Sequence, residues 1–259
     1  MDINLNDYVT RNSHNNDIIF KVINIEDDIC YLKGINVRLI ADSAKTDLVK
    51  VEYKESNDDE LVERVKKCTN LDREDYFYLP GKILHIDADK DYLSRCLRYY
   101  DKLNLMAIGF YINEDELSNK IYNLLEEYNP KILVITGHDA YYNKKGSKEK
   151  IENYKNSFNF VKAIKEARKF EKSQEKLIII AGACQSNYEE LIKAGANFSS
   201  SPKRINIHAL DPAIVASQMS LSNINKDIDI KKILESTKYG SEGIGGIITK
   251  GTMYMGYPR

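Results

Sequence analysis

Cys184 stands where a parallel sheet would place a reacting group. Residues 177–180 are bulky and apolar, and the small residues Ala181, Gly182 and Ala183 lead from them to Cys184. An apolar run of this length predicts a strand buried on both faces of a sheet. Ligands and reacting groups gather at the carboxyl ends of such strands. The thiol is therefore a candidate nucleophile, with a small buried core residue as the alternative.

His138 is the residue best placed to act as a base for that thiol. A cysteine nucleophile needs a base or a positive neighbour that promotes the thiolate. His138 follows Gly137 directly after the predicted strand 132–136, much as Cys184 follows its own strand. Successive strands of βα units are usually neighbours, so both side chains are expected at one edge of the sheet as a Cys/His dyad. His208, near the end of another predicted strand, is the second candidate for the base.

The elements that position these residues alternate between strand and helix from residue 80 onward. Strands are predicted at 82–87, 105–112, 132–136, 177–180 and 205–209, with an edge strand at 247–249. Helices are predicted at 92–103, 114–128, 154–172, 188–194, 212–219 and 228–239. Apolar strands separated by helices indicate an α/β fold with a mostly parallel sheet covered by helices on both faces.

The amino-terminal part of the chain has a different pattern. Residues 7–53 contain short apolar runs separated by turn-forming stretches such as Asn-Ser-His-Asn-Asn-Asp. This spacing predicts a small β-barrel of the SH3-like kind. We expect the barrel domain at 1–54, a charged linker rich in Lys, Glu, Asp and Asn at 55–78, and the α/β domain at 79–259.

Composition and charge narrow the classes of function. The chain has 259 residues, 30% of them charged and 42% hydrophobic, with a net charge of −1. This balance is typical of a globular protein and gives no global attraction to nucleic acid or to an anionic membrane. No signal peptide and no apolar stretch of about 18 residues is visible, so we expect a cytoplasmic protein without a membrane partner. The four cysteines lack Cys-x-x-Cys spacing, which argues against a zinc site.

The residues at the two strand ends resemble those of a known group of enzymes. Gly137-His138 on one strand and Ala183-Cys184 on the next resemble the caspase/gingipain-like clan of cysteine peptidases. The resemblance implies a caspase-like sheet with a His/Cys dyad at adjacent strand ends. It also implies an oxyanion hole of backbone amides near the dyad, with Gly137, Asp139 and Ala183 as the near-site residues. Asp139 stands where the clan usually has glycine.

A closer resemblance covers almost the whole chain. Six segments resemble the sporulation-specific cysteine protease YabG family, namely 7–11, 38–42, 134–141, 183–187, 194–198 and 201–212. The resemblance implies a cysteine endopeptidase of the mother-cell compartment, associated with the forming spore coat, that processes spore coat and cortex-associated proteins. It implies Cys184 and His138 as the catalytic residues, cleavage after arginine, and no metal or organic cofactor.

These implications lead to a two-step mechanism. His138 would take the proton of Cys184, and the thiolate would attack the scissile carbonyl to form a thioester that water then hydrolyses. An arginine pocket needs a carboxylate that can pair with the guanidinium group. Asp211 and Glu242 are the candidates for that carboxylate, and His208 is a further pocket candidate. The expected partners are protein substrates.

Two alternatives to a peptidase stay open at the level of residues. Asp87 and Asp89 end the first predicted strand of the α/β domain, where a receiver-like signalling domain carries acidic residues. The same residues suit a helix N-cap and a solvent-facing loop. His85, in the middle of that strand, is predicted to be an interior side chain. The other alternative is a non-enzymatic protein that docks onto the spore coat through its amino-terminal barrel.

Overall fold

The computed structural model describes residues 3–53, 58–68, 75–142 and 146–258. These residues belong to two compact units, Met1–Asn57 and Asp58–Arg259. Part of the segment 55–78 that we predicted as a linker forms a helix and a short strand of the second unit, at Asp59–Cys68 and Phe77–Leu79. Each unit is described below by itself.

The first unit is an antiparallel sheet. Its strands are β1 (Tyr8–Arg11), β2 (Phe20–Glu26), β3 (Ile29–Gly34), β4 (Ile40–Ala44) and β5 (Leu48–Lys50), in the order β4-β3-β2-β1-β5. Alternate residues of the strands point inward, so Val9, Phe20, Val22 and Leu32 are fully buried in one core. Asn15, Asn16 and Asp27 adopt left-handed backbone conformations in the turns, as short polar residues can. The likeness to an SH3-like barrel stays a prediction.

The second unit contains the parallel sheet that the sequence predicts. Its strands are β6 (Phe77–Leu79), β7 (Ile83–Asp87), β8 (Ala107–Tyr111), β9 (Ile132–Thr136), β10 (Ile178–Ala181), β11 (Phe198–Ser200), β12 (Ile244–Gly246) and β13 (Tyr254–Gly256). The main sheet has the order β12-β11-β10-β9-β7-β8. All of its pairs are parallel except that between β11 and β12. Strands β6 and β13 form a separate antiparallel pair.

Helices cover both faces of this sheet. They are α1 (Asp59–Cys68), α2 (Lys90–Lys102), α3 (Leu117–Tyr128), α4 (Ser157–Phe170), α5 (Tyr188–Lys193), α6 (Asp211–Ser220), α7 (Ile230–Glu235) and α8 (Gly240–Gly243). Ile178 and Ile180 of β10 pack in one cluster with residues of α1, α2, α6 and α7. Ile179 and Ala181 pack in a second cluster with residues of α3, α4 and α5. The α/β class and the mostly parallel sheet are confirmed, and the caspase-like architecture stays a prediction.

The predicted strand at 205–209 is wrong, as is the edge strand at 247–249. Strand β11, Phe198–Ser200, occupies the position beside β10, and β12, Ile244–Gly246, forms the edge. Small residues hide both strands from a search for bulky apolar runs. Glycine is needed at the edge because a Cβ on Gly246 would lie 2.5 Å from the Phe198 ring. The segment 205–209 instead lies next to Cys184, as described below.

Within the described part of the chain, no helix is long and apolar enough to cross a membrane.

Candidate active site

A tight turn presents Cys184 at the carboxyl end of β10. Gly182 and Gln185, on either side of it, adopt left-handed conformations with φ of 107° and 57°. The Ala183 N–H donates to Ser186 Oγ at 2.9 Å, which closes the turn. The Gly182 N–H donates to the Ile135 carbonyl at 3.0 Å. Because Ile135 belongs to β9, the turn is anchored to the strand that carries His138.

The Cys184 thiol is covered in this structure. Its side chain is fully buried, and Sγ lies 3.3 Å from the backbone nitrogen of Ile207 and 3.9 Å from its carbonyl oxygen. The segment 205–209 therefore closes over the sulfur. A nucleophile must meet the substrate carbonyl, so attack by this thiol requires the segment to move aside.

His138 lies at the end of the neighbouring strand β9, and its contacts fix its backbone and one ring nitrogen. The backbone N–H donates to Glu114 Oε1 at 2.7 Å, and Nε2 lies 3.1 Å from Asp89 Oδ2. The ring packs against Tyr92, with the ring centroids 5.8 Å apart. The other ring nitrogen, Nδ1, is buried and has no hydrogen-bond partner among the described residues. The structure thus brings His138 and Cys184 to the carboxyl ends of two neighbouring strands.

Asp89 is a site residue that our sequence reasoning missed. Its Oδ1 accepts hydrogen bonds from the backbone amides of Asp91 and Tyr92 at 2.9 and 3.1 Å, which confirms the predicted N-cap of α2. Its other oxygen contacts His138 because β7 pairs with β9 in the sheet. The sheet order reverses between these two strands, and open parallel sheets bind ligands at such a switch point. The rule points to Asp89 only once the order of the strands in the sheet is known.

Asp139 ties the histidine loop to the cysteine loop. Its carboxylate accepts hydrogen bonds from Ser186 Oγ at 3.0 Å, from Ser157 Oγ, and from the backbone amides of Asn156 and Ala140. Burial raises the pKa of this carboxyl above its usual value, and the hydrogen bonds oppose that rise. The partners of this carboxylate belong to the loops around the site, so Asp139 positions the loops.

Gln185 forms a second tie between the same loops, and our sequence reasoning also missed it. Its backbone N–H donates to Ser201 Oγ and to the Ile205 carbonyl, both at 3.1 Å. Its side-chain oxygen accepts from the Tyr141 N–H at 3.2 Å, and its amide nitrogen donates to Asn206 Oδ1 at 3.3 Å. One residue therefore joins the histidine loop, the cysteine turn and the segment that covers the thiol.

Two backbone amides near the dyad are already engaged. The His138 N–H is taken by Glu114, and the Ala183 N–H by Ser186. Gly137 allows the close approach of Glu114, since a Cβ there would lie 2.6 Å from Oε1. An oxyanion could use the His138 or Ala183 amide only after displacing these side-chain acceptors.

Two of the three substrate-pocket candidates, His208 and Asp211, belong to one turn of the chain, and Glu242 belongs to α8. Asp211 is fully buried and accepts from the backbone amides of His208 and Lys238 at 3.0 and 2.8 Å. His208 Nδ1 accepts from a backbone amide at 3.3 Å, and its side chain is 8% exposed. Glu242 is exposed and precedes Gly243, where an added Cβ would lie 3.8 Å from Asp211. Only Glu242 of the two carboxylates is open to solvent.

Comparisons with known proteins identify the family of this chain. The family model described as YabG peptidase U57 matches residues 4–258. The sporulation-specific protease YabG of Bacillus subtilis (strain 168) is 39% identical over 286 residues, which cover 100% of this chain and 99% of that protein. No solved structure matches the chain. The family match spans nearly every residue, and the chain therefore belongs to the YabG family of sporulation peptidases, U57.

Proposed function

We propose that this peptidase is a cysteine endopeptidase in which Cys184 is the nucleophile and His138 the general base. One observation carries the proposal: the two residues follow neighbouring parallel strands, and Asp139 and Gln185 tie their loops together. A catalytic pair needs such fixed mutual placement, since misplacement by about 1 Å can cost a hundredfold in rate.

The reaction begins with movement of the covering segment 205–209. Substrate binding displaces it from Sγ, and His138 takes the thiol proton. The thiolate attacks the scissile carbonyl, and backbone amides of the loops around Gly137, Asp139 and Cys184 stabilise the oxyanion. His138 then protonates the leaving amine, and water hydrolyses the thioester. The chemistry calls on no metal or organic cofactor.

The proposed substrates are spore coat and cortex-associated proteins, cut after arginine in the mother-cell cytoplasm at the forming coat. The name of the B. subtilis relative supports a role specific to sporulation. An exposed carboxylate suits an arginine side chain better than a buried one that already accepts two amides. Glu242 is thus the favoured partner for the guanidinium group, with Asp211 and His208 shaping the turn beside it.

Cleavage assays with active-site variants test the proposal. Cys184→Ala and His138→Ala are expected to lower the cleavage of a spore coat protein extract by at least about a thousandfold, because dyad residues act as a unit. Cys30→Ala is the matched control, since Cys30 is also a fully buried free cysteine. It should leave cleavage unchanged. Mass spectrometry of the new termini reports the residue before each cut.

Two outcomes would overturn the assignment. Full activity of folded Cys184→Ala would exclude the thiol as nucleophile. Activity that survives in His138→Ala but is lost in His208→Ala would move the base to His208.

A receiver-like signalling domain is disfavoured by the surroundings of Asp87. This residue is fully buried, with Oδ1 accepting from the Asp89 amide at 3.0 Å and Oδ2 from Thr136 Oγ1 at 2.8 Å. The phosphoacceptor aspartate of a receiver is expected at the end of the third strand, where this chain has Thr136-Gly137-His138 instead. Treatment with acetyl phosphate is therefore expected to label no aspartate.

A further inference from the structure

We propose that Asp89 is the positioning residue of His138 and that it makes Nδ1 the ring nitrogen that exchanges protons with Cys184. The inference rests on the proposed dyad and adds its third member. Asp89 Oδ2 lies 3.1 Å from His138 Nε2, and the two side chains are only 9% and 17% exposed. The contact is therefore largely shielded from water.

The contact determines where the imidazole carries its proton. A carboxylate only accepts hydrogen bonds, so a neutral ring facing it carries the proton on Nε2. The lone pair then lies on Nδ1. This atom is buried and has no hydrogen-bond partner within the described parts of the chain. A buried nitrogen without a partner costs free energy, and a catalytic role is one explanation for such an atom in a native structure.

Asp89 itself is held in place from two directions. Its Oδ1 caps the 13-residue helix α2, whose N-terminal dipole favours a negative charge at this position. Its backbone N–H donates to Asp87 Oδ1 at 3.0 Å. Asp87 Oδ2 in turn accepts from Thr136 Oγ1 at 2.8 Å, two residues before His138. The same buried carboxylate thus holds both Asp89 and the strand that carries the histidine.

The second carboxylate beside His138 has a different task. Glu114 accepts from the backbone N–H and fixes the course of the loop at Gly137. Asp89 instead contacts the ring. The two carboxylates can therefore be separated by experiment, because only the contact of Asp89 bears on the choice of ring tautomer.

The proton path balances without any further reactant. The Cys184 S–H bond breaks as its proton joins His138 Nδ1, and the sulfur electron pair forms the bond to the scissile carbonyl carbon. The imidazolium keeps its Nε2–H directed at Asp89, whose negative charge stabilises it. When the peptide C–N bond breaks, the proton on Nδ1 passes to the leaving nitrogen. Asp89 stays ionised throughout.

Asp89→Asn tests this assignment. Asparagine still caps a helix, but its amide nitrogen can donate to Nε2 and so select the ring tautomer with the proton on Nδ1. We expect kcat to fall by about a hundredfold or more, with KM within twofold, by analogy with the loss that the wrong tautomer causes in a serine peptidase triad. In ¹⁵N NMR spectra of the histidines, the His138 signal should change from the Nε2–H to the Nδ1–H tautomer.

Asp229→Asn is the matched control. Asp229 caps α7 by accepting from the Lys232 N–H at 3.2 Å, so the same substitution is made at a second helix cap. The kcat of Asp229→Asn and the tautomer of its His138 should match those of the wild type. If Asp89→Asn fails to fold, Asp89→Ser replaces it, because serine caps the helix and is too short to reach the ring. The same loss of kcat is expected.

Two results would overturn the inference. One is a kcat within threefold of wild type in folded Asp89→Asn, and the other is a wild-type His138 that already carries its proton on Nδ1. Either result leaves the dyad intact if Cys184→Ala and His138→Ala remain inactive. Activity in those two variants would instead reject the proposed function itself.

Discussion

The two ends of the parallel sheet in the second unit are built from the same elements but satisfy their polar groups differently. At the amino end, where β10 and β11 begin, one arginine organises the loops. At the carboxyl end, where β7, β9 and β10 finish, carboxylates, a histidine and a thiol meet. The contrast supports a structural role for the amino end and the catalytic role that we propose for the carboxyl end.

Arg168 fills the amino end with hydrogen bonds. Its guanidinium donates to the carbonyl oxygens of Gly195, Glu171, Ser173 and Leu177 and to Asn197 Oδ1, at 2.8 to 3.2 Å. Burial lowers its pKa to about 10, which still leaves it charged at neutral pH. A planar group with five donors suits a cluster of carbonyl acceptors. All three guanidinium nitrogens thus donate hydrogen bonds within the fold.

The carboxyl end keeps a ring nitrogen unsatisfied and its backbone under strain. His138 Nδ1 is buried without a partner among the described residues, and Gln185, Ser201 and Arg204 adopt left-handed conformations that non-glycine residues rarely take. Unsatisfied groups and strained backbone gather at functional sites because the surrounding structure holds them in place.

The largest expected effect at the amino end follows from removing its arginine. Arg168→Met removes the guanidinium donors from five buried or half-buried acceptors, so the free energy of unfolding should fall by about 3 kcal/mol. Denaturant unfolding measures this change. The kcat of the folded protein should stay within twofold of wild type. Arg98→Met, at an exposed arginine, is the control and should change stability by less than about 0.5 kcal/mol. A loss of kcat in folded Arg168→Met would contradict a purely structural role for the amino end of the sheet.

Two glycines with similar backbone conformations, one at each end of the parallel sheet, allow a direct comparison of the two ends. Gly182 precedes Cys184 with φ of 107°, and Gly195 lies beside Arg168 with φ of 115°. Alanine at either position is strained by about 1–2 kcal/mol, and its Cβ would meet a side-chain atom at 3.0 or 2.9 Å, respectively. Unfolding experiments should show a loss of stability in both variants. Only Gly182→Ala should lower kcat, by about tenfold, because it shifts the cysteine turn.

The glycine pair also has a control. Gly240→Ala combines a φ of 55° with no atom within 4 Å of the added Cβ, so it reports backbone strain alone. Equal losses of kcat in Gly182→Ala and Gly195→Ala would show that the two ends are not functionally distinct.

The smallest expected effect concerns the pH dependence of stability. Burial raises the pKa of Asp139, so the folded state binds its proton more tightly than the unfolded chain. The resulting stabilisation is fully present below the ordinary aspartate value of about 3.9 and is lost as pH rises through the raised pKa. Relative to Asp139→Asn, the wild type should lose stability across that window in thermal unfolding. A difference that is constant with pH would contradict the raised pKa.

The sequence was sufficient to predict the strands that carry Cys184 and His138 and their adjacency. Long apolar runs identify strands buried on both faces, and successive βα strands tend to pair. The interior position of His85 was also predictable, and its ring contacts Tyr100 and Thr136. The pattern of apolar residues and the tendency of successive βα strands to pair are enough to predict these strands, their adjacency and the burial of His85.

The other features of the site depend on the order of the strands in the sheet, which the local sequence pattern does not determine. The alternation at 205–209 is typical of a strand, but β11 takes the place beside β10, and Ile207 covers the thiol instead. Asp89 reaches His138 only because β7 lies next to β9. The helix-cap signal at Asp89 was readable, whereas its second contact was not.

Covalent capture of the nucleophile tests the central claim most directly. A matched pair of peptidyl chloromethyl ketones, ending in arginine or in leucine, is incubated with wild type and with His138→Gln, and the modified residue is mapped by mass spectrometry. A peptide ligand can displace the segment 205–209 as a substrate would. We predict an adduct on Cys184 in the wild type, faster with arginine, and at least about tenfold slower labelling in His138→Gln. Inactivation without modification of Cys184, or labelling that is independent of His138, would contradict the account.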